Sequence, residues 1–453
     1  MFYKINGSAG YGKTTSLIEK IRDLYDPYLS LDKQDFILIT PTNKAAMVLN
    51  SRLETYKDPI TNELCPMPAM ARTLHSSLYV WIPTDKIKSV TRKRSIDADT
   101  MKFKVDADGH AEYHEEIEYY YKKEIKKRIK NKIVLVDESS MVGSDVWHDL
   151  ITCGLVHEIY AYGDEKQLPP IEKYEDLDSK HQPYYRFWHN FKDIENVTTL
   201  MINYRQKGAL KDIVETIEDS LFTGKYSADI PSNLMYGENF TVHCNDLSEM
   251  DLLAEMMAAD MIITPYVKVR QMCNIICRRV LARAGNRPYN PLPVAGDKII
   301  FVDALKNDIE VNGDIIKEIY LPKNVNGVIT HIHDISHEDN LMIMDIRDEM
   351  GTDHERITVS LNTILGKSGN ADGPRIDYAY AVTVHSSQGG QWGNILFLNG
   401  HWPGEDSSKL RYVGITRAQK RLAVVNGITN STEGKDAVRS IVIRLGHMLA
   451  EKE

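Results

Sequence analysis

The segment GSAGYGKT (7–14) has the residue types and spacing to hold a phosphate. Its glycines let backbone N–H groups curl around phosphate oxygens, Lys13 carries a charge to the terminal phosphates, and the Thr14 hydroxyl is a ligand for Mg²⁺. A helix starting after Gly12 adds its positive end. The candidate cradle is Gly7, Ser8, Ala9, Gly10, Tyr11, Gly12, Lys13, Thr14 and Thr15. A second segment, IVLVDESS (133–140), closes an apolar run with Asp137 and Glu138. A carboxylate at a strand end beside the loop holds Mg²⁺, here Asp137 together with Thr14. Its neighbour, Glu138, orients and activates an attacking water, the division of labour that phosphoryl transfer needs. A third segment, AYGDEKQLPPI (161–171), puts Gln167 where it can sense the terminal phosphate, and Pro169 and Pro170 stiffen the exit. Each segment alone also describes an ordinary acidic loop or turn. The three together predict a nucleotide site.

Such groups need strands and helices to aim them. FYKIN precedes the phosphate loop and TTSLIEKIRDLY continues it with a helical pattern. Short apolar runs recur at FILIT (36–40), IVLVD (133–137), EIYAYGD (158–164), MIITP (261–265), YAVTV (380–384), NILFL (394–398) and RLAVV (421–425). Each leads into a loop and a helical pattern, which predicts parallel sheets flanked by helices and strands enough for two α/β domains. Two regions break the pattern. Between 85 and 130, MKFKV and HAEYH alternate on either side of DADG, which predicts a hairpin at 101–114 followed by a basic helix at 115–130. Between 293 and 372, five runs divided by Gly, Asn and Asp turns predict a small antiparallel barrel.

Composition narrows the class. The chain has 453 residues, 42% of them hydrophobic and 26% charged, which describes a globular protein with more than one core. No apolar run is long enough to span a bilayer, and the start lacks a signal-peptide pattern, so we expect no membrane partner and a cytoplasmic protein of a bacterium or phage-infected cell. The five cysteines are odd in number and scattered, as a reducing compartment allows. Cys273 and Cys277, four apart, read as core thiols rather than metal ligands. A net charge of −9 does not exclude a polynucleotide partner, because only the contact surface must be basic. The positive charge clusters at KKEIKKRIKNK (122–132) and TRKRS (91–95).

The phosphate loop, the DE pair and GDEKQLPP, in this order, resemble superfamily 1 helicases. TTLMINYRQKGAL (198–210), VTVHSSQGGQW (382–392) and LRYVGITRAQKRLAVV (410–425) resemble that family's fourth, fifth and sixth motifs. The resemblance spans nearly the whole chain and is nearest to the RecD-like and Dda-like branch. It implies an α/β fold of two RecA-like phosphate-loop domains with a small hairpin insertion and an SH3-like β-barrel insertion. The implied boundaries are 1–84 with 131–194, then 85–130, then 195–292 with 373–453, and finally 293–372. Gly296, Asp297, Asn307, Asp308, Asn312 and Gly313 fill the branch's pattern at the start of the barrel approximately.

The resemblance also assigns roles. Lys13, Glu138, Gln167, Arg205 and Arg417 become the catalytic set, the arginines reaching the γ-phosphate of ATP. Guanidinium suits that task because it is planar and permanently charged. Tyr204 becomes a stacking face for the adenine, and Gly389 joins the nucleotide site. Pro41, Thr42, Asn43, Thr73 and His75, with Thr383, His385 and Ser386, become contacts to a DNA strand. Small hydroxyls suit stepping along phosphates without trapping. Many relatives carry Lys where Ser386 stands. The 101–114 hairpin is the candidate wedge for a duplex, and Trp81, Trp392 and Trp402 are candidate stacking residues. The implied cofactors are ATP and Mg²⁺; the implied partners are single-stranded DNA, its junctions with duplex, and replication or recombination proteins; one chain completes the cleft, so we expect a monomer. The expected activity is 5′ to 3′ translocation with unwinding in replication, recombination or repair. An RNA helicase, or a nucleic-acid clamp with weak NTPase, stays open. Relatives carry a longer segment before the phosphate loop, with a Gln that reads adenine; only six residues precede it here, so relaxed base selection is expected.

Overall fold

The structure, a computed structural model, describes residues 1–57, 61–97, 100, 102–126, 129–190, 195–206, 208–223, 240–243, 247–311, 314–367, 373–400 and 406–428. The chain divides into two compact units: 1–80 with 124–267 and 383–442, and 81–123 with 268–382 and 443–453.

In the first unit, the apolar β-formers build parallel sheets. One sheet has the strand order 72–73, 36–40, 133–136, 158–163, 2–7, 196–200. Phe2–Gly7 is central, with Phe2 opposite Ile159 and Tyr3 opposite Asn196, and its neighbours run parallel to it. Parallel strands are covered on both faces, so their residues are apolar throughout rather than alternating. One face packs around Trp147, Trp188 and Phe187, the other around Leu17, Ile21, Leu49 and Leu53. A second parallel set runs in the order 261–264, 392–400, 418–428, 240–243. This mixed α/β architecture is the one the apolar runs imply.

Trp147 anchors the first core. It is fully buried, with its ring 5.7 Å from Phe2 and 5.1 Å from Phe187. Trp147→Ala is expected to destabilise the unit by about 3–5 kcal/mol. Urea melts check this; a loss under about 1 kcal/mol would show that the site collapses to refill the space.

The second unit is antiparallel. Five strands lie in the order 353–360, 341–348, 326–336, 298–301, 376–378. Ser360 bridges Arg375, which draws the two edges of this sheet together. A separate hairpin pairs Leu305–Val311 with Asp314–Leu321. Asp297 forms a buried ion pair with Arg278 at 2.9 Å. Cys273 and Cys277 are buried on the helix Val267–Ala284, and burial pushes both thiols up.

The basic helix expected at 115–130 does not form. Tyr113–Ile125 is a strand paired with Tyr79–Arg94. The reason lies in composition: Tyr113, Ile117, Tyr120 and Ile125 favour a pleated surface, and the partner strand supplies the backbone bonds. Within the basic stretch, Lys126 Nζ donates to Ser76 O at 2.6 Å and Lys132 Nζ to Asp32 O at 3.2 Å, so both tie the chain to itself. The turn at 106–109 is closed by a Val105–Ala111 bridge, with Asp106 N–H donating to His110 O at 2.8 Å. Asn312, Gly313, Trp402 and the side chains of Trp81, Asn307 and Asp308 lie outside the described residues.

Candidate nucleotide and nucleic-acid site

The first sheet delivers every chemical segment to the same edge. Its strands end at Gly7, Thr40, Val136 and Gly163, and the loops that follow carry the phosphate cradle, Pro41, Asp137 and Asp164. Ligands bind outside the carboxyl ends of such strands, where the strand order reverses. After Gly7 the chain turns through Gly10 and Gly12, whose φ values of 87° and 77° lie in the left-handed region, into the helix Lys13–Leu24. A side chain at Gly10 is excluded twice, by its φ and by Arg205 Cβ, which a Cβ there would meet at 2.6 Å. Lys13 Nζ donates to Gly7 O at 2.5 Å and Ser8 O at 3.0 Å, and stands 3.8 Å from Asp164 Oδ2. The ammonium is thus aimed by the loop's own carbonyls.

The acidic pair carries uncompensated charge. Asp137 is buried, and burial with the Glu138 carboxylate beside it pushes its carboxyl up to about 7. Glu138 has φ 49° and ψ 42°, a left-handed conformation that non-glycine residues adopt at a cost and that clusters at functional positions. Its Oε2 is buried with no hydrogen-bond partner. A hard divalent cation fits this set. Asp137 and the Thr14 hydroxyl offer it oxygen ligands, and its charge would hold Asp137 ionised.

Two guanidinium groups come from beyond the first sheet. Arg205 Nη1 donates to Thr416 O at 2.8 Å, and burial with Arg417 nearby pushes its guanidinium down to about 9. Arg417, 2% exposed, donates through Nε to Val413 O at 3.0 Å and through Nη2 to Thr416 Oγ1 at 3.2 Å. Burial pushes it down, and the Glu138 charge opposes that. Among the described residues neither arginine forms an ion pair, so both charges stand ready for an anion.

These segments enclose a cleft of ≈ 310 Å³. Its lining brings together Ala9, Gly10, Gly12, Lys13, Thr14, Thr15, Asp137, Glu138, Gln167, Tyr204, Arg205 and Gly389. Gly7, Ser8, Tyr11 and Arg417 lie behind the lining. Ser8 Oγ donates to Glu218 at 2.6 Å and Tyr11 Oη to Glu215 at 3.2 Å. Tyr204 is 65% exposed at the rim, its backbone N–H on Gly10 O at 2.7 Å. Gln167 is buried, its amide 3.4 Å from Asp164 Oδ2. Sequence reasoning missed Arg52, Gln391 and Gln419 in the lining, and Asp164 and Tyr412 beneath it. Asp164 and Tyr412 stand inside the quoted motifs; no local signal marks Arg52, which reaches the cleft only because its helix, Asn43–Glu54, packs there. A cavity of ≈ 390 Å³ at the amino end of Phe2–Gly7 is lined mainly by apolar residues, among them Phe2, Leu150 and Phe187, with His157, and its lining holds no carboxylate, lysine or arginine side chain.

The residues expected along a nucleic-acid strand share a local design. Thr42 caps the helix Asn43–Glu54, accepting from Ala45 N–H at 3.1 Å. Thr73 ends one strand and caps the next turn, its Oγ1 3.0 Å from Ser76 Oγ. Thr383 repeats this in the second sheet, with Oγ1 3.0 Å from Ser386 Oγ. The sequences behind the pair are TLHS (73–76) and TVHS (383–386), so Ser76 is the counterpart of Ser386 and belongs with the candidates. His75 is exposed; His385 is half-buried, and burial holds its imidazole neutral. Pro41 and Asn43 flank Thr42 at the same edge. Trp392 is half-buried, with Lys44 Nζ 5.9 Å over its ring.

A family model described as an AAA domain matches residues 1–173, and one described as a UvrD-like helicase C-terminal domain matches residues 378–425. An uncharacterized protein of Methanocaldococcus jannaschii, MJ1519, is 22% identical over 93% of this chain, which spans about a third of that relative, 36% of its length. Among solved structures, a Pif1 helicase from Bacteroides in complex with ADP-AlF3 and ssDNA is similar with a TM-score of 0.42 and 16% identity, over 96% of this chain and 90% of that one. A Pif1 helicase from Candida albicans is similar with a TM-score of 0.39 and 14% identity, over 100% of this chain and 96% of that one. Among the described residues, no helix is long and apolar enough to cross a membrane.

Proposed function

Because the chain belongs to the superfamily 1 helicases, we propose that it is an ATP-driven motor that moves along single-stranded DNA and unwinds duplexes. One observation carries this reading. A phosphate-loop lysine, a carboxylate with an orphaned buried oxygen, a glutamine and an arginine line one cleft, with a second arginine behind it, and among the described residues neither arginine has a carboxylate partner. In this reading Lys13 and the loop N–H groups hold the β- and γ-phosphates. Glu138 orients the attacking water and takes its proton, and Gln167 senses the terminal phosphate. Arg205 and Arg417 stabilise the charge of the transferring phosphoryl group. Bound Mg²⁺ would neutralise phosphate charge from Thr14 and Asp137.

The DNA strand lies along Pro41, Thr42, Asn43, Thr73 and His75, and along Thr383, His385 and Ser386. The hairpin at 101–114 is our candidate wedge, and 293–372 is our candidate for the branch's barrel insertion. Translocation runs 5′ to 3′, as the branch resemblance implies.

The test is NTP turnover with and without single-stranded DNA. Strong stimulation by DNA is expected, and 5′-tailed duplexes should then be unwound in preference to 3′-tailed ones. Turnover indifferent to both DNA and RNA would overturn the motor reading. Stimulation by RNA alone would reassign the track.

A further inference from the structure

One tyrosine of the sixth motif joins three parts of the cleft at a single atom. Tyr412 lies on the helix Ser407–Ile415 and is fully buried. Its hydroxyl donates to Asp164 Oδ2 at 2.7 Å and accepts from the Ala9 N–H at 2.6 Å. The same carboxylate oxygen takes the Gln167 amide at 3.4 Å and faces Lys13 Nζ at 3.8 Å. Tyr412 therefore touches the phosphate loop and the loop that carries Gln167. Its own helix leads, five residues later, to Arg417, whose Nε is held by Val413 O in that helix at 3.0 Å.

We propose that Tyr412 is a positioning residue for the γ-phosphoryl step: its hydroxyl fixes the helix that delivers Arg417 against the phosphate loop and against the Gln167 loop. This deepens the NTPase reading above and rests on it. Tyr412 and Asp164 stand behind the lining, as Arg417 does, so in this proposal their effect passes through the placement of Arg417 and of Gln167, which lines the cleft. A buried hydrogen bond to a charged acceptor is stronger than a neutral one and is directional. It can therefore hold a loop and a helix in one relative placement, and small errors in such placement are costly at the reacting centre. The β-phosphate, by contrast, would be held by Lys13 and the loop N–H groups; Lys13 keeps its bonds to Gly7 O and Ser8 O when the hydroxyl is gone, and of the loop only the Ala9 N–H loses a partner.

The prediction is a split between binding and turnover. Tyr412→Phe should lower kcat on the order of tenfold while Mg·ADP affinity and KM change by less than about threefold. A merely structural tyrosine would instead lower the melting temperature and reduce rate and ADP binding capacity together. Asp164→Asn keeps the tyrosine ring and weakens its acceptor, and serves if the phenylalanine variant does not fold. It should show the same split. The double variant should fall little below the worse single one, because both remove one connection. Folded single variants with wild-type kcat would overturn the proposal and leave the NTPase reading standing. Absence of NTP turnover in the wild-type chain itself would overturn both.

Discussion

Glu138→Gln is expected to lower NTP turnover by about 10²–10⁴-fold, the range for losing a general base. The substitution preserves shape and removes only the charge that accepts the proton. Glu138 is suited to the role by what it lacks. Its Oε2 is buried without a partner, and its backbone is held in the left-handed region. A carboxylate serving only the fold would have its oxygens bonded. Nucleotide affinity should hold or rise, since a negative charge leaves the vicinity of the phosphates. Steady-state turnover, nucleotide binding and thermal melts together check this. A variant that keeps wild-type kcat would remove Glu138 from the mechanism. One that loses activity only through unfolding would make it structural.

Arg417→Ala should be comparably severe, lowering kcat by about 10³-fold or more, as removal of an arginine that stabilises transferring phosphoryl charge does elsewhere. Arg417→Lys should restore little. Lysine cannot present the planar donor fork, and its ammonium tolerates burial poorly. Arg417 is buried and bonded to Val413 O, Thr416 Oγ1 and, at 3.5 Å, Gly390 O, so its direction is set before any ligand arrives. Such preorganisation makes a charge effective in a water-poor site. Burial already pushes the guanidinium down, with Glu138 opposing that. A negatively charged phosphoryl group therefore supplies compensation that the nucleotide-free site lacks. If Arg417→Lys matches the wild type in single-turnover hydrolysis, the arginine is a structural strut and Arg205 must carry the charge alone.

Local signals in the chain supplied the candidate reacting groups. The spacing GSAGYGKT and the DE pair after IVLV are short-range patterns that mark candidate groups, because phosphate recognition depends on a few adjacent backbone and side-chain groups, whereas the NYR and TRA segments take their roles from the family resemblance. The apolar runs determined the parallel sheets for the same reason: strands covered on both faces must be apolar along their whole length. Tertiary packing decided the rest. It turned the stretch at 113–125, expected to open a helix, into a strand, because its tyrosines and isoleucines found a partner strand. It brought Arg52 into the cleft through a helix whose sequence carries no mark of that role. It placed the Tyr412 hydroxyl between Ala9 and Asp164, partners 403 and 248 residues away along the chain. Contacts at such separation depend on how whole elements dock. Docking is set by the shape and burial of many side chains at once, and no short window of sequence contains it.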